Sequence, residues 1–145
     1  MPTPIVDLTR VSILAEIVLR AGNAQSSNAR HDLQRAYTGF DAQYPDTIGL
    51  SVLFREGASL DELAREGAFP HAKLSFTIIG RIVNALAAVG YNLVLYITPD
   101  SILPDHHSLA VAQHGIVQAT LPDDAADALI HSLNVVDNPY RARHP

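Results

Sequence analysis

Three polar side chains, each in a short patch of sequence, are of types that together could bind an anionic nucleotide. The patches are Arg35-Ala36-Tyr37, Gly49-Leu50-Ser51-Val52 and Asp105-His106-His107-Ser108-Leu109. An arginine clamps a diphosphate through two parallel N–H donors, and a serine hydroxyl hydrogen-bonds a ribose. If the third patch is extended, Asp105 and His107 share a face, where the carboxylate would orient the imidazole. The sequence therefore predicts that Arg35, Ser51 and His107 line an anion-accepting cleft.

The order of these patches resembles that of small ADP-ribosyltransferase-like toxins. In that family an arginine near the first strand holds the diphosphate of NAD, a serine or threonine in a middle strand orients the ribose, and a third polar residue completes the site. The resemblance implies that Arg35, Ser51 and His107 are catalytic. It also implies that Arg35, Tyr37 and Ser51 bind NAD, and that the protein is a toxin or effector acting inside a cell.

The third position departs from the usual pattern of that family. Members with the usual catalytic glutamate carry it late in the chain, whereas here no glutamate follows Glu66. The resemblance is therefore to the histidine-ended kind, with His107 in the third place. Breaking the N-glycosidic bond of nicotinamide needs positioned charge and oriented groups more than a strong base.

The same three residues are also consistent with a purely structural role. Arg35 would then lie on the surface at a helix end, Ser51 would be an ordinary strand residue, and His107 would be hydrogen-bonded to a neighbour. Nine of the ten basic residues are arginine, Lys73 being the exception. Codon use in a GC-rich genome also favours arginine over lysine, so the excess of arginine does not by itself indicate anion binding. Convergence of Arg35, Ser51 and His107 in one cleft would favour the enzyme, and scatter over the surface would exclude it.

The competing function class is a non-catalytic acidic module that binds a cognate protein partner, as immunity or antitoxin-type proteins do. Ten basic against fifteen acidic residues give a net charge of −5, which suits electrostatic capture of a basic partner. The same balance argues against a nucleic-acid surface, because no basic excess is available to neutralise phosphates.

A metal site is not expected, although the chain has seven histidines. His106 and His107 are adjacent, so on a strand they point to opposite faces. No HxH or HExxH spacing occurs, and there is no cysteine to supply a thiolate. The sequence also lacks GxGxxG, GxxxxGK[ST] and GxSxG motifs.

The length of 145 residues fits a single soluble domain over residues 1–145, with residues 1–4 and 138–145 as mobile termini. The most apolar stretch, Phe76 to Thr98, contains Arg81, Gly90 and Asn92, so no membrane span is expected. No signal peptide is recognised, and a cytoplasmic location is expected.

Periodicity and turn residues predict an α+β domain with a mainly antiparallel or mixed sheet of about four to five strands packed against three or four helices. Helical patterns cover Asp7 to Ala21, Leu60 to Gly67 after a capping box at Ser59, residues 78–89, and Asp123 to about Leu133. Ala24 to Ala36 is a loop or short helix. Strand patterns cover Leu50–Phe54, Leu74–Phe76, Tyr91–Thr98, Ser108–Ala112 and Val117–Leu121. Asn134 to Pro145 is expected to be a tail.

Overall fold

The computed structural model describes residues 2–39 and 43–140. Four α-helices occur in this part of the chain: α1 Ala29–Ala36, α2 Leu60–Gly67, α3 Ile79–Ala87 and α4 Asp123–Ser132. Seven strands accompany them: β1 Ile17–Ala21, β2 Leu50–Leu53, β3 Lys73–Ile78, β4 Asn92–Ile97, β5 His106–Gln113, β6 Ile116–Val117 and β7 Asn134–Asp137. A short 3-10 helix, Val11–Ala15, precedes β1. The α+β class predicted from the sequence is confirmed.

The strands form one antiparallel sheet. Its order is β4-β5-β2-β1-β3-β7, and β6 pairs with β5 at the side of this path. The sheet has more strands than the four to five expected, because β1 and β7 were assigned to other kinds of structure. Both of these strands pair with β3.

Apolar side chains pack on both faces of the sheet. On one face, Leu95 and Leu109 lie in a cluster with Leu86 of α3 and Leu129 of α4. On the other face, α2 packs its Leu63 against a second cluster that includes strand residues. The sheet is therefore a central layer that is covered from both sides.

The helix predicted over residues 78–89 is confirmed as α3, and its apolar side faces the core. Ile79, Ile82 and Leu86 are fully buried, and Val83 packs at the edge of the same cluster. The apolar positions at three- and four-residue spacing point to one side of a helix, and that side meets the sheet.

The helix predicted over Asp7–Ala21 is wrong. The chain forms a 3-10 turn over Val11–Ala15 and then enters β1. Val18 and Leu19 are both buried, although neighbouring strand residues face opposite sides. A strand covered on both faces loses its polar-apolar alternation, and its apolar run then resembles part of a helical pattern.

The strand and tail predicted near the carboxyl end are corrected too. The strand expected over Val117–Leu121 is reduced to Ile116–Val117. Part of the expected tail forms β7, which pairs with β3, and Asn138 is buried. Residues 141–145 lie outside the described part of the chain.

The capping box at the start of α2 is confirmed. Ser59 Oγ accepts a hydrogen bond from the Glu62 amide at 3.1 Å, and the Glu62 carboxylate accepts from the Ser59 amide at 3.4 Å. Replacing Ser59 with alanine leaves the Glu62 amide without this acceptor. We expect Ser59→Ala to lower the free energy of unfolding by about 0.5–2 kcal/mol. Urea unfolding followed by circular dichroism measures this loss, and no change in the midpoint would show that the cap does not stabilise α2.

Arg55 joins α2 to the start of β5 through three carboxylates. Its guanidinium lies 3.0 Å from Glu62, 3.7 Å from Glu66 and 3.3 Å from Asp105. Burial raises the pKa of Glu66, and a hydrogen bond with Asp105 raises it further. The folded protein therefore holds a proton on Glu66 at pH values where the unfolded chain has lost it.

This raised pKa sets the sign of a pH effect on stability. Across the interval between the unfolded and folded pKa values of Glu66, stability falls as pH rises, because the folded state binds more protons. Glu66→Gln removes the titrating group. We therefore expect the melting temperature of the variant minus that of the parent to increase from acidic to neutral pH. Glu56→Gln, at a half-exposed carboxylate paired with Arg10, is the control. A melting difference for Glu66→Gln that stays constant with pH would contradict this prediction.

Candidate functional site

The site begins where β1 and β2 separate. These two strands share one residue pair, Leu19 with Leu53. One residue further along β1, Arg20 Nη1 donates a hydrogen bond to the Ser51 carbonyl at 3.0 Å. A side chain rather than the backbone thus links the two strands at this position.

The hydroxyl of Ser75 bridges two backbone groups of the turn that follows β1. Gly22 has a φ of +106°, a conformation that favours glycine. Ser75 Oγ donates to the Gly22 carbonyl at 2.8 Å and accepts from the Ala24 amide at 2.9 Å. The chain is thereby directed from β1 towards α1, and Ser75 holds one wall of the opening between them.

Two adjoining cavities occupy this opening, and we call them together the cleft. The larger has a volume of about 530 Å³ and the smaller about 290 Å³, which is the size range of small-molecule sites. Both cavities are lined by four shared residues: Arg20, Ala21, Ala36 and His71. The larger also has polar side chains from the turn and from α1: Asn23, Ser26, Asp32 and Arg35.

Arg20 is a partly buried cation at the junction of the two cavities. Burial lowers its pKa, and the charge of Asp32 partly offsets that effect. An arginine nevertheless stays protonated in proteins. Within residues 2–39 and 43–140, its side chain makes the one hydrogen bond to Ser51 and no ion pair. Most of its five N–H donors are therefore available to an anion in the cleft.

Arg35 and Ser51, two of the residues predicted from the sequence, both lie at the cleft. Arg35 is 73% exposed at the rim of the larger cavity, where it lies 3.4 Å from Asp32. Ser51 is exposed on β2 and lines the smaller cavity. The two are in adjoining cavities rather than in one, and Arg20 lies between them as a residue of both.

Tyr37 is not among the residues that line the cleft. It is buried behind α1, and its hydroxyl donates to the Gln118 carbonyl at 2.9 Å. The same hydroxyl accepts from the Val111 amide at 3.1 Å. Burial raises the pKa of Tyr37. This arrangement links the end of α1 to β5 and leaves Tyr37 outside the cleft.

His107 lies on the opposite face of the sheet from Ser51. It pairs with Val52 across the β2–β5 ladder, and its ring meets Phe54 edge-on at 5.2 Å between ring centres. The Asp105 backbone carbonyl, not its carboxylate, accepts from His107 Nδ1 at 2.8 Å. Burial lowers the pKa of His107. The structure therefore does not bring His107 together with Arg35 and Ser51.

The preceding residue, His106, lines the smaller cavity together with Ser51. Its Nδ1 lies 3.0 Å from the Thr98 carbonyl, and because a carbonyl only accepts, Nδ1 carries the hydrogen. The Thr98 hydroxyl lies 2.9 Å from the same nitrogen and 3.0 Å from Ser108 Oγ. These buried contacts fix the ring of His106 at the floor of the cleft.

Three residues of the cleft were not predicted from the sequence: Arg20, His71 and His106. Arg20 was placed inside the expected first helix, so it was not considered as an arginine of a first strand. The pairing of β2 with β5 decides which of the two adjacent histidines faces the cleft. The sequence showed only that neighbouring strand residues point to opposite faces, not which face each takes. No local signal marked His71, because it reaches the cleft through the fold.

Within residues 2–39 and 43–140, no group of three or more histidine, aspartate or glutamate side chains is arranged to hold a metal ion. The expected lack of a metal stays a prediction. No helix in the described ranges is long and apolar enough to cross a bilayer.

Comparisons with protein families, curated proteins and solved structures found no match. The geometry of the cleft is therefore the basis for a functional proposal.

Proposed function

We propose that the protein binds NAD in the cleft and transfers ADP-ribose from it, as the resemblance to small ADP-ribosyltransferase-like toxins implies. The observation that carries this proposal is Arg20. A partly buried guanidinium with one hydrogen bond and no ion pair, at the junction of two cavities, suits the diphosphate of a dinucleotide.

Arg20 takes the role that the sequence analysis gave to Arg35. In the family pattern, the diphosphate-binding arginine lies near the first strand, and Arg20 is on β1 whereas Arg35 is on α1. Arg35 lines the larger cavity from its rim and adds a second positive charge. Its pairing with Asp32 and its exposure make it the weaker of the two anion ligands.

Ser51 is exposed in the smaller cavity, which His106 lines as a buried ring held through Nδ1 by Thr98. In this proposal the Ser51 hydroxyl binds a ribose hydroxyl, and His106 replaces His107 as the third polar residue. The bond between the nicotinamide nitrogen and the ribose carbon breaks, and nicotinamide leaves with the bonding electrons. The attacking nucleophile, from water or a target side chain, binds that carbon and releases its proton to solvent.

Calorimetric titration with NAD tests the proposal, followed by chromatographic measurement of released nicotinamide. We expect saturable binding with a dissociation constant below about 1 mM, and slow release of nicotinamide. Arg81→Gln is the matched control, since Arg81 is exposed on α3 and does not line the cleft. No heat and no melting shift at millimolar NAD with folded protein would overturn the proposal.

The alternative, an acidic module that binds a basic protein partner, has less support. Several carboxylates on α2 and α4 are already paired with arginines: Asp61 with Arg65, Glu62 with Arg55, and Asp127 with Arg30. These pairs reduce the negative charge that α2 and α4 present to a basic partner. A failed NAD titration would make this alternative the better account.

A further inference from the structure

His71 is a titratable side chain at the cleft that the proposed function does not use. It is exposed and lines both cavities, as Arg20 does. Of the described residues that line the two cavities, Asp32 is the one carboxylate, and it is paired with Arg35. An anion in the cleft would therefore meet more positive than negative groups, with the His71 imidazole at the boundary between the two cavities.

The backbone around His71 is held by one buried side chain. Asn138 Nδ2 donates to the carbonyls of Phe69 and His71, each at 2.9 Å. The Asn138 amide donates to the Ala72 carbonyl, also at 2.9 Å. The Phe69 ring lies edge-on to the imidazole at 6.4 Å between ring centres. These contacts hold the backbone that places His71 beside the cleft.

We propose that His71 binds the diphosphate in its protonated form, so that anion binding at the cleft takes up a proton. This inference rests on the proposed function, because it assigns a further residue to the same ligand. Imidazoles ordinarily gain their charge between pH 8 and 5, where a diphosphate diester stays ionised. Binding is therefore stronger at lower pH.

The charged groups around His71 set how strong this coupling is. The charged residues that line the cleft with His71 are Arg20 of β1, and Arg35 and Asp32 of α1. Lys73, two residues along, is paired with Asp137 of β7. A diphosphate bound in the cleft adds negative charge to a lining that includes His71, and that charge favours protonation of the imidazole.

Calorimetric titration of NAD in phosphate-free buffers at pH 5.5, 6.5 and 8.0 tests the coupling. At pH 6.5, two buffers of different ionisation enthalpy count the protons taken up. We expect affinity to rise about tenfold from pH 8.0 to 5.5, with net proton uptake in the parent. His71→Gln should lose both effects. His114→Asn is the control, because His114 is exposed outside the cleft and asparagine tolerates its positive φ of 52°.

Inorganic pyrophosphate as a second probe separates this inference from the proposed function. If NAD binds but His71→Gln keeps the parental pH dependence, the inference is wrong and the proposed function stands. If NAD fails while pyrophosphate binds with proton uptake that His71→Gln abolishes, the inference stands and the proposed function is wrong. If neither probe binds, both are wrong.

Discussion

Replacing Arg20 with glutamine is expected to weaken NAD binding by about 10- to 100-fold. Hydrogen bonds from a charged donor contribute about 1.5–3 kcal/mol each, and this range corresponds to roughly one to two decades in the dissociation constant. Glutamine keeps a polar side chain of similar shape near the backbone but has no positive charge for the diphosphate. Calorimetry on the parent and the variant measures the change.

Two comparisons make the Arg20→Gln result specific. Arg35→Gln should weaken binding by less than about fivefold, because Arg35 is 73% exposed and already paired with Asp32. Arg81→Gln should leave binding unchanged. We expect Arg20→Gln to melt close to the parent, since it removes a partly buried charge that has no ion-pair partner among the described residues. A folded Arg20→Gln variant that binds NAD as the parent does would refute the assignment.

Replacing Leu86 with alanine is expected to lower the free energy of unfolding by about 2–5 kcal/mol. Leu86 is 0% exposed on α3 and packs in the cluster between the sheet and the helices. The loss combines the transfer of the removed carbons with the cavity that remains. Urea unfolding measures this loss, with the dependence of the unfolding free energy on urea concentration fitted separately for parent and variant.

Val89 provides the control for Leu86→Ala. It lies just beyond α3 and is 38% exposed, so Val89→Ala should change stability by less than about 1 kcal/mol. A loss below about 0.5 kcal/mol for Leu86→Ala would show that this side of α3 does not form the core.

Local signals were enough to predict much of the fold. The Ser59 capping box located the start of α2, and the apolar spacing of α3 predicted its buried side. The apolar runs that became β4 and β5 were bounded by glycine and proline, so their existence was also predicted. In each case, residues close in sequence determine the structure.

The errors occur where distant residues decide. β1 loses its alternation because α2 covers one face of the sheet and the other helices cover the opposite face. β7 is a short strand whose pairing with β3 is not encoded within its own four residues. A local sequence pattern does not show whether both faces of a strand are covered, or which strand it pairs with.

The candidate site shows the same division. Ser51 was placed on the correct strand, and the sequence already required that one of His106 and His107 face away from any given site. The pairing of Ser51 with Ser108 puts His106 on the cleft side, and that register depends on the whole sheet. Arg20 was missed because the element that carries it was predicted as a helix.

A crystal structure of the NAD complex shows directly whether Arg20 binds the diphosphate in the cleft. We expect the diphosphate to lie in the cleft, with its oxygens about 2.7–2.9 Å from the Arg20 guanidinium, and the nicotinamide half to extend towards Ser51 and His106. The alternative location is the cavity of about 490 Å³ lined by Arg30, Gln34 and Asp127, between α1 and α4. NAD bound there, or an empty cleft in crystals soaked at saturating NAD, would show that the cleft is not the NAD site.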